Sequence, residues 1–251
     1  MNPVKIWILP TFLAIAALGD APSGQIQYQF ASPKIWDISG DYQRTANGSI
    51  ITATLFQHAD GKVTGNRAEI YNYDGDYAEG YGAISGRTVN SRSGLNFALK
   101  SKGTIAGTFN GQSVIANFRE SLKALLLPNS GSLQVESKAK VCVAGGRCAT
   151  VYDAFNLNLA SMQDGSWSLA LDVTTLGKIV SGTATLTLSN GRSFNYTVKG
   201  SYRSSDGRSV LRLKGLADAE KSRFLLRLQE GVSTPTLVRG RILGQRVKIP
   251  E

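Results

Sequence analysis

Four carboxylates and four tyrosines are concentrated around one turn of the chain, between residues 69 and 81. Aromatic rings stack on the apolar faces of sugars, and carboxylates accept hydrogen bonds from hydroxyl or ammonium groups. If strand alternation brings three of these tyrosines and Glu79 to one surface, the stretch suits a sugar or a cationic ligand. An ordinary polar hairpin with tyrosines covering a sheet surface explains the same composition. The ligand-binding candidates are Tyr71, Tyr73, Asp74, Asp76, Tyr77 and Glu79.

The same carboxylates suggest two further kinds of chemistry. Asp74 and Asp76 could ligate calcium, but an Asp-Gly-Asp triplet lacks the remaining oxygen ligands. A glycosidase needs two carboxyl groups about 5–10 Å apart, and the sequence does not give that separation. A nucleophile also needs an activating base, yet His58 is the only histidine and no GxSxG motif is present. We therefore predict no catalytic residue, no metal site and no cofactor, and we expect a protein that is not an enzyme.

Basic residues form the second candidate site. The chain has a net charge of +10, and residues 162–251 contain 14 basic and 7 acidic residues. These cations alternate with apolar residues, which predicts a basic outer face that attracts an anionic polysaccharide or another anionic envelope surface. A solvated face that discourages sheet aggregation is the alternative. The polyanion-binding candidates are Arg203, Arg208, Arg212, Lys214, Arg223, Arg227, Arg239 and Arg241, with Lys199 in the same pattern.

The elements that must position these residues are β-strands. From Gly182 to Gly244, apolar and polar residues alternate with the two-residue period of half-buried strands, and Gly-containing turns separate the segments. Asn190-Gly191 is a strong hairpin signal because both residue types tolerate positive φ. Five such strands with short connections predict an antiparallel meander, which must bury its apolar face in a barrel or a sandwich.

A second meander is predicted earlier in the chain. Residues 61–75 and 177–191 both begin with Gly-Lys and both end in a turn with Gly at the same offset, which indicates an internal duplication. The predicted class is therefore all-β, with antiparallel meanders in barrel-like or sandwich sheets. The predicted organisation has five parts: a signal peptide at 1–19, a lead-in segment at 20–35, a first meander at 36–127, a connector with a disulfide hairpin at 128–165, and a second meander at 166–251.

The first nineteen residues and the two cysteines predict an exported protein. Lys5 is followed by the apolar run Ile6–Leu18, and small residues precede Gly19, as at a signal-peptidase site. Cys142 and Cys148 lie symmetrically about Gly145, so we predict a disulfide between facing positions of a hairpin. The expected location is periplasmic, cell-surface or extracellular.

These observations predict an exported β-protein with a binding or structural role at the cell envelope. Export disfavours nucleic acid as a partner, and no transmembrane helix is expected in the mature chain. Two alternatives stay open. One is an outer-membrane β-barrel, although its Arg- and Lys-rich outward faces would be costly against lipid. The other is a glycan hydrolase that uses the carboxylates near residues 69–79.

Overall fold

The computed structural model describes residues 24–46, 48–91, 94–127, 132–158, 162–174, 176–232 and 234–249. The predicted signal peptide lies outside these residues. Sixteen strands and one short 3-10 helix, Ala217–Ala219, make up the regular structure of the described segments. The strands are β1 (Gly24–Trp36), β2 (Gly40–Ala46), β3 (Ser49–Gln57), β4 (Lys62–Tyr73), β5 (Asp76–Ser91), β6 (Gly94–Phe109), β7 (Gln112–Leu127), β8 (Ser132–Val143), β9 (Cys148–Asn158), β10 (Met162–Val173), β11 (Lys178–Leu188), β12 (Ser193–Arg203), β13 (Arg208–Gly215), β14 (Arg223–Gln229), β15 (Leu237–Ile242) and β16 (Gln245–Ile249).

The strands form two curled antiparallel sheets, which confirms the predicted all-β class. The first sheet is an uninterrupted meander from β2 to β9. The second sheet has the order β1-β10-β11-β12-β13-β14-β15-β16, so its first strand is distant in sequence from the other seven. Each sheet therefore has eight strands, and β1 crosses from the first half of the chain into the sheet of the second half.

Two of the predicted segments, the lead-in at 20–35 and the connector at 128–165, contain strands of the two sheets. The lead-in segment contains β1, which pairs with β10 from Gly24 to Trp36 because Ile26, Tyr28 and Phe30 pack on the core of the second sheet. The predicted connector contains β8 and β9, which extend the first sheet by pairing with β7 and with each other. The first sheet consequently includes the disulfide hairpin, and the seven consecutive strands of the second sheet begin with β10 at Met162, before residue 166.

The core of the second sheet is filled by the apolar positions that strand alternation predicted. Trp167 is the largest buried side chain, and its ring centroid lies 5.3 Å from that of Tyr196 and 5.0 Å from that of Phe224. The predicted inward residues of β11 to β15 that are buried are Ala184, Leu186, Leu188, Phe194, Tyr196, Val198, Tyr202, Ser209, Leu211, Leu213, Phe224, Leu226, Leu228, Val238 and Ile242. Their alternation with exposed residues fixes the strand register.

The two sheets use the same turn at equivalent places. Before β4, the His58 N–H donates to Lys62 O at 2.8 Å, and Gly61 O accepts from the Thr88 N–H at 2.7 Å. Before β11, Thr174 donates to Lys178 O at 2.8 Å, and Gly177 O accepts from the Tyr202 N–H at 2.8 Å. Both strands are third in their sheets. This equivalence supports the predicted duplication.

Paired glycines bend the long strands of the first sheet. Gly82 of β5 faces Gly103 of β6, and a Cβ on Gly103 would lie 1.9 Å from Tyr81 O. β6 continues through Gly103 without a break. Glycine is required there because the backbones approach too closely for a side chain, and such glycines allow a sheet to curl.

A polar cluster and a glycine contact join the sheets. The buried Asp37 carboxylate, which follows β1, accepts a hydrogen bond from Arg192 at 2.6 Å and from Asn190 at 3.0 Å. Arg192 also donates to Gln57 O of the first sheet at 2.8 Å. Beside them, a Cβ on Gly61 would lie 2.5 Å from the Gly244 Cα. The sheets are therefore in direct backbone contact.

Candidate functional site

The predicted basic residues lie exposed on the outer face of the second sheet, opposite its core. Strand register places them side by side across neighbouring strands. One row, from β13 to β16, contains Lys214, Arg223, Arg241 and Arg246. The next row, from β12 to β16, contains Lys199, Arg212, Leu225, Arg239 and Lys248. The cations are therefore concentrated in a patch on this sheet.

We use the name cationic ladder for nine of these residues: Lys199, Arg212, Lys214, Arg223, Arg227, Arg239, Arg241, Arg246 and Lys248. Within the described part of the chain, none of the nine forms an ion pair with a carboxylate. Like charges directly opposite each other on adjacent strands are destabilising. The ladder therefore has an excess of positive charge that its own sheet does not neutralise.

Two predicted members differ from the rest. Arg203 and Arg208 face each other across β12 and β13, and both lie beside the carboxylate of Asp206, at 3.5 Å and 3.6 Å. Their charge is partly neutralised at the turn. The ladder is therefore centred on β13 to β16, away from this end of the sheet.

Sequence analysis missed Arg246 and Lys248. They lie on β16, a strand of five residues that follows the turn Leu243-Gly244. Leucine is not a residue typical of turns, so no polar residue marks a turn at this position. The positive φ of +52° at Leu243 and +74° at Gly244 produces a tight hairpin nevertheless.

A smaller basic group lies on the outer face of the first sheet. Lys102, Arg119 and Lys140 form one row across β6, β7 and β8, and Lys100 and Lys138 flank Ser121 in the next row. All five cations are exposed. Sequence analysis did not single out this group, because residues 20–161 are close to neutral overall.

The tyrosines and carboxylates around the β4–β5 turn do not form one surface. Tyr71 and Tyr73 pair with Ala78 and Asp76, so these four residues point to one face of the hairpin. Tyr77 and Glu79 pair with Asn72 and Ile70 and point to the other face. The expectation of a common surface was wrong because the two-residue turn sets a register that separates the two groups.

Each group has its own local contacts. On one face, the ring of Tyr71 stacks on Phe109 with 5.7 Å between centroids. On the other face, the Tyr77 and Tyr81 hydroxyls donate to the Glu79 carboxylate, and these hydrogen bonds raise the pKa of both tyrosines. The Glu79 carboxylate is thus held between two phenols.

Asp74 and Asp76 stabilise turns of the first sheet. Asp74 has a φ of +53° and forms the turn together with Gly75, as Asp-Gly predicts. The Asp76 carboxylate accepts the Asn110 N–H at 2.7 Å, which ties this turn to the β6–β7 turn. Because Asp76 and Glu79 point to opposite faces, they are not arranged to flank one glycosidic bond. No cluster of three metal-ligating side chains occurs in the described segments.

The remaining predicted features are local. Cys142 and Cys148 form the predicted disulfide at the end of the β8–β9 hairpin, where they are directly paired. His58 Nε2 lies 2.9 Å from the hydroxyl of Thr64, and its ring packs edge-on against Phe56. Among the residues that the structure describes, no helix is long and apolar enough to span a membrane.

In comparisons with known proteins, no protein-family model, no curated protein and no solved structure matched this chain. The interpretation of the site therefore depends on its own geometry and charge.

Proposed function

We propose that this is an exported, non-enzymatic binding protein of the cell envelope, and that the cationic ladder of the second sheet binds an anionic polysaccharide. The observation that carries the proposal is the pair of adjacent rows of cations that have no carboxylate partner among the described residues. A polyanion would supply the missing negative charge.

The ladder has dimensions that suit an extended polymer. Neighbouring strands are about 4.8 Å apart, so the row from β13 to β16 spans about 14 Å. Arginine binds carboxylate and sulfate-like oxygens with several donors in one plane, and six of the nine ladder residues are arginines. A linear chain with a negative charge on each repeat can contact cations on several neighbouring strands at once.

Export is the second part of the proposal. The leader-like sequence at residues 1–19 and the Cys142–Cys148 disulfide both favour an oxidising compartment outside the cytoplasm. Such a compartment exposes the ladder to envelope glycans and keeps it away from cytoplasmic nucleic acid. A solvated face that prevents edge-to-edge association is the competing explanation of the same cations.

The test is elution from immobilised heparin, an anionic polysaccharide, in a salt gradient. The exported protein should be retained and should elute at elevated salt, because ionic contacts are screened. A variant with Arg212→Glu, Arg239→Glu and Arg241→Glu should elute near the void volume. The matched control, Lys100→Glu, Lys102→Glu and Lys140→Glu, has the same change in net charge on the first sheet and should remain retained.

Two outcomes would contradict the proposal. If the protein passes through the heparin column at low salt, the ladder is a solvated surface. If both triple variants lose the same retention, net charge rather than the ladder determines binding. Circular dichroism and the melting temperature of each variant establish that the β-fold is intact.

A further inference from the structure

The first sheet curls around an apolar cavity of about 310 Å³ that is partly open to solvent. Its walls are apolar side chains such as Leu55, Phe97, Leu122, Leu133 and Phe155. Protein interiors are normally close-packed, and a void of this size loses the dispersion contacts of its lining. A cavity of a few hundred cubic ångströms is typical of small-molecule sites, and eight-stranded curled sheets can hold one small ligand.

The second sheet provides an internal comparison. It also has eight strands in an antiparallel order, yet its interior is filled by Trp167, Tyr196 and Phe224 in mutual ring contact. At its interior, the first sheet has small side chains such as Ala53 and Ala124 on the cavity wall. The same architecture is therefore packed in one half and left open in the other.

The cavity meets the surface between the two edges of the first sheet. β2 and β9 are the edge strands, and no backbone pairing joins them. They are linked by the side chains of Arg44 and Asp153, whose ion pair is 2.6 Å long, and by the guanidinium of Arg44 over the ring of Phe155 at 3.9 Å. This link can open without breaking a strand ladder.

A second, polar pocket of about 290 Å³ lies at the same edges. Asp41 and Asn156 line this pocket only. Four residues line both the polar pocket and the apolar cavity, so the two spaces are adjacent: Tyr42, Gln43, Arg44 and Leu157. A ligand that extends across this boundary must be apolar at one end and polar at the other.

The charged groups inside the cavity do not require a ligand head group. Arg67 donates to Glu69 at 2.7 Å and to Glu120, and Ser137 donates to Glu120 at 2.6 Å. These groups largely satisfy one another. Within this cluster, Arg67 Nε has no partner among the described residues. At the edges, Gln43 and Asn156 line the polar pocket.

We propose that the first sheet binds a single-chain amphiphile, with its acyl chain in the apolar cavity and its polar head group in the adjoining pocket. Long-chain fatty acids and lysolipids share this chemistry. The ligand enters sideways between β2 and β9, past the Arg44–Asp153 ion pair. This site is separate from the cationic ladder and does not depend on it.

Equilibrium dialysis of the exported protein with labelled palmitate and with labelled lysophosphatidylcholine tests the proposal. Both probes should bind, because the head group lies outside the cavity and its size matters little. Ala53→Phe places a ring in the cavity and should weaken binding of both at least about ten-fold. Ala98→Phe makes the same change on the exposed outer face of β6 and should leave binding unchanged.

A second variant covers the case in which Ala53→Phe does not fold. Val151 lines the cavity but is 53% exposed, so Val151→Trp should obstruct the cavity without disturbing the core. Asp153→Ala should speed release of bound palmitate because it frees Arg44 from the link between the edges.

The proposal is overturned if neither probe binds, or if binding persists unchanged in both Ala53→Phe and Val151→Trp. Binding of palmitate without lysophosphatidylcholine would contradict the placement of the head group at the edges. Retention on heparin is measured on the same variants and should not change, so failure here is distinguishable from failure of the polysaccharide proposal.

Discussion

Replacing Gly61 by alanine should destabilise the protein far more than the same change at Gly75. Both glycines have a positive φ, +86° and +82°, which costs an alanine about 1–2 kcal/mol. At Gly75 a new Cβ meets nothing within 4 Å. At Gly61 it would lie 2.5 Å from the Gly244 Cα and 3.0 Å from the Gly244 N, so backbone of the second sheet has to move.

The steric overlap adds to the conformational cost. Overpacking of a close contact typically costs about 1–3 kcal/mol, and no flexible side chain is present here to relieve it. We therefore expect Gly61→Ala to lower the free energy of unfolding by about 2–5 kcal/mol and Gly75→Ala by about 1–2 kcal/mol. Gly244→Ala should resemble Gly61→Ala, because its Cβ would lie 2.8 Å from the Gly61 Cα.

Urea denaturation followed by circular dichroism measures the three variants under one condition. Equal losses of unfolding free energy at Gly61 and Gly75 would refute the argument. The positive φ that both glycines share would then account for the whole loss, and the backbone contact between the sheets would contribute nothing to it. A larger loss at both Gly61 and Gly244 would establish that this contact holds the sheets together.

Three further predictions concern stability. Asp37→Asn should lower the free energy of unfolding by about 3–5 kcal/mol, because it leaves the partly buried Arg192 without its ion pair. Asp206→Asn removes an exposed ion pair and should lower it by less than about 1 kcal/mol in the same urea assay. Burial and the hydrogen bond to Glu230 raise the pKa of Tyr202 to about 12 from its ordinary value of 10.0. The stability that the protonated hydroxyl contributes is therefore present below pH 10 and is lost as the pH rises towards 12. The urea midpoint should fall less steeply with pH in Tyr202→Phe than in the unmodified protein, and an identical pH dependence would contradict this. Replacing Cys142 and Cys148 by serine should lower the free energy of unfolding by about 2 kcal/mol or less, since the disulfide closes a short loop at a hairpin end. Loss of the β-sheet circular dichroism spectrum would contradict this, because the fold would then depend on the disulfide.

Alternation predicted the strands of the second sheet because each has one buried and one exposed face. Leu211 and Leu213 are buried and Arg212 is exposed, as the two-residue period requires. The same alternation at Ile26, Tyr28 and Phe30 indicates a strand but not its partner, because the pairing of β1 with β10 depends on contacts more than a hundred residues apart in the chain. Local patterns carry no information about which distant strand is the neighbour.

The features of the candidate sites also differ in how far the sequence predicts them. The cationic ladder was largely predictable, since outward positions follow from strand alternation and the rows follow from short hairpins. The separation of Tyr71 from Glu79 depended on the exact register of one turn, and a shift of one residue reverses it. The cavity was not predictable, because its existence depends on how far the first sheet curls and on which side chains fill it.

The two proposed sites use opposite faces of similar sheets. An antiparallel sheet has one face for its interior and one for solvent, so a protein with two such sheets can vary each face independently. In the second sheet, the interior is filled by aromatic rings and the outer face carries the cations. In the first sheet, the interior is left open and the outer face has only the smaller basic group. Since the cavity and the ladder share no residue, variants in one should leave ligand binding at the other unchanged, within the additivity expected of distant sites. Coupling between them would instead indicate that ligand binding in the first sheet is transmitted through the contacts between the sheets, at Gly61 and Gly244 or at the cluster of Asp37 and Arg192.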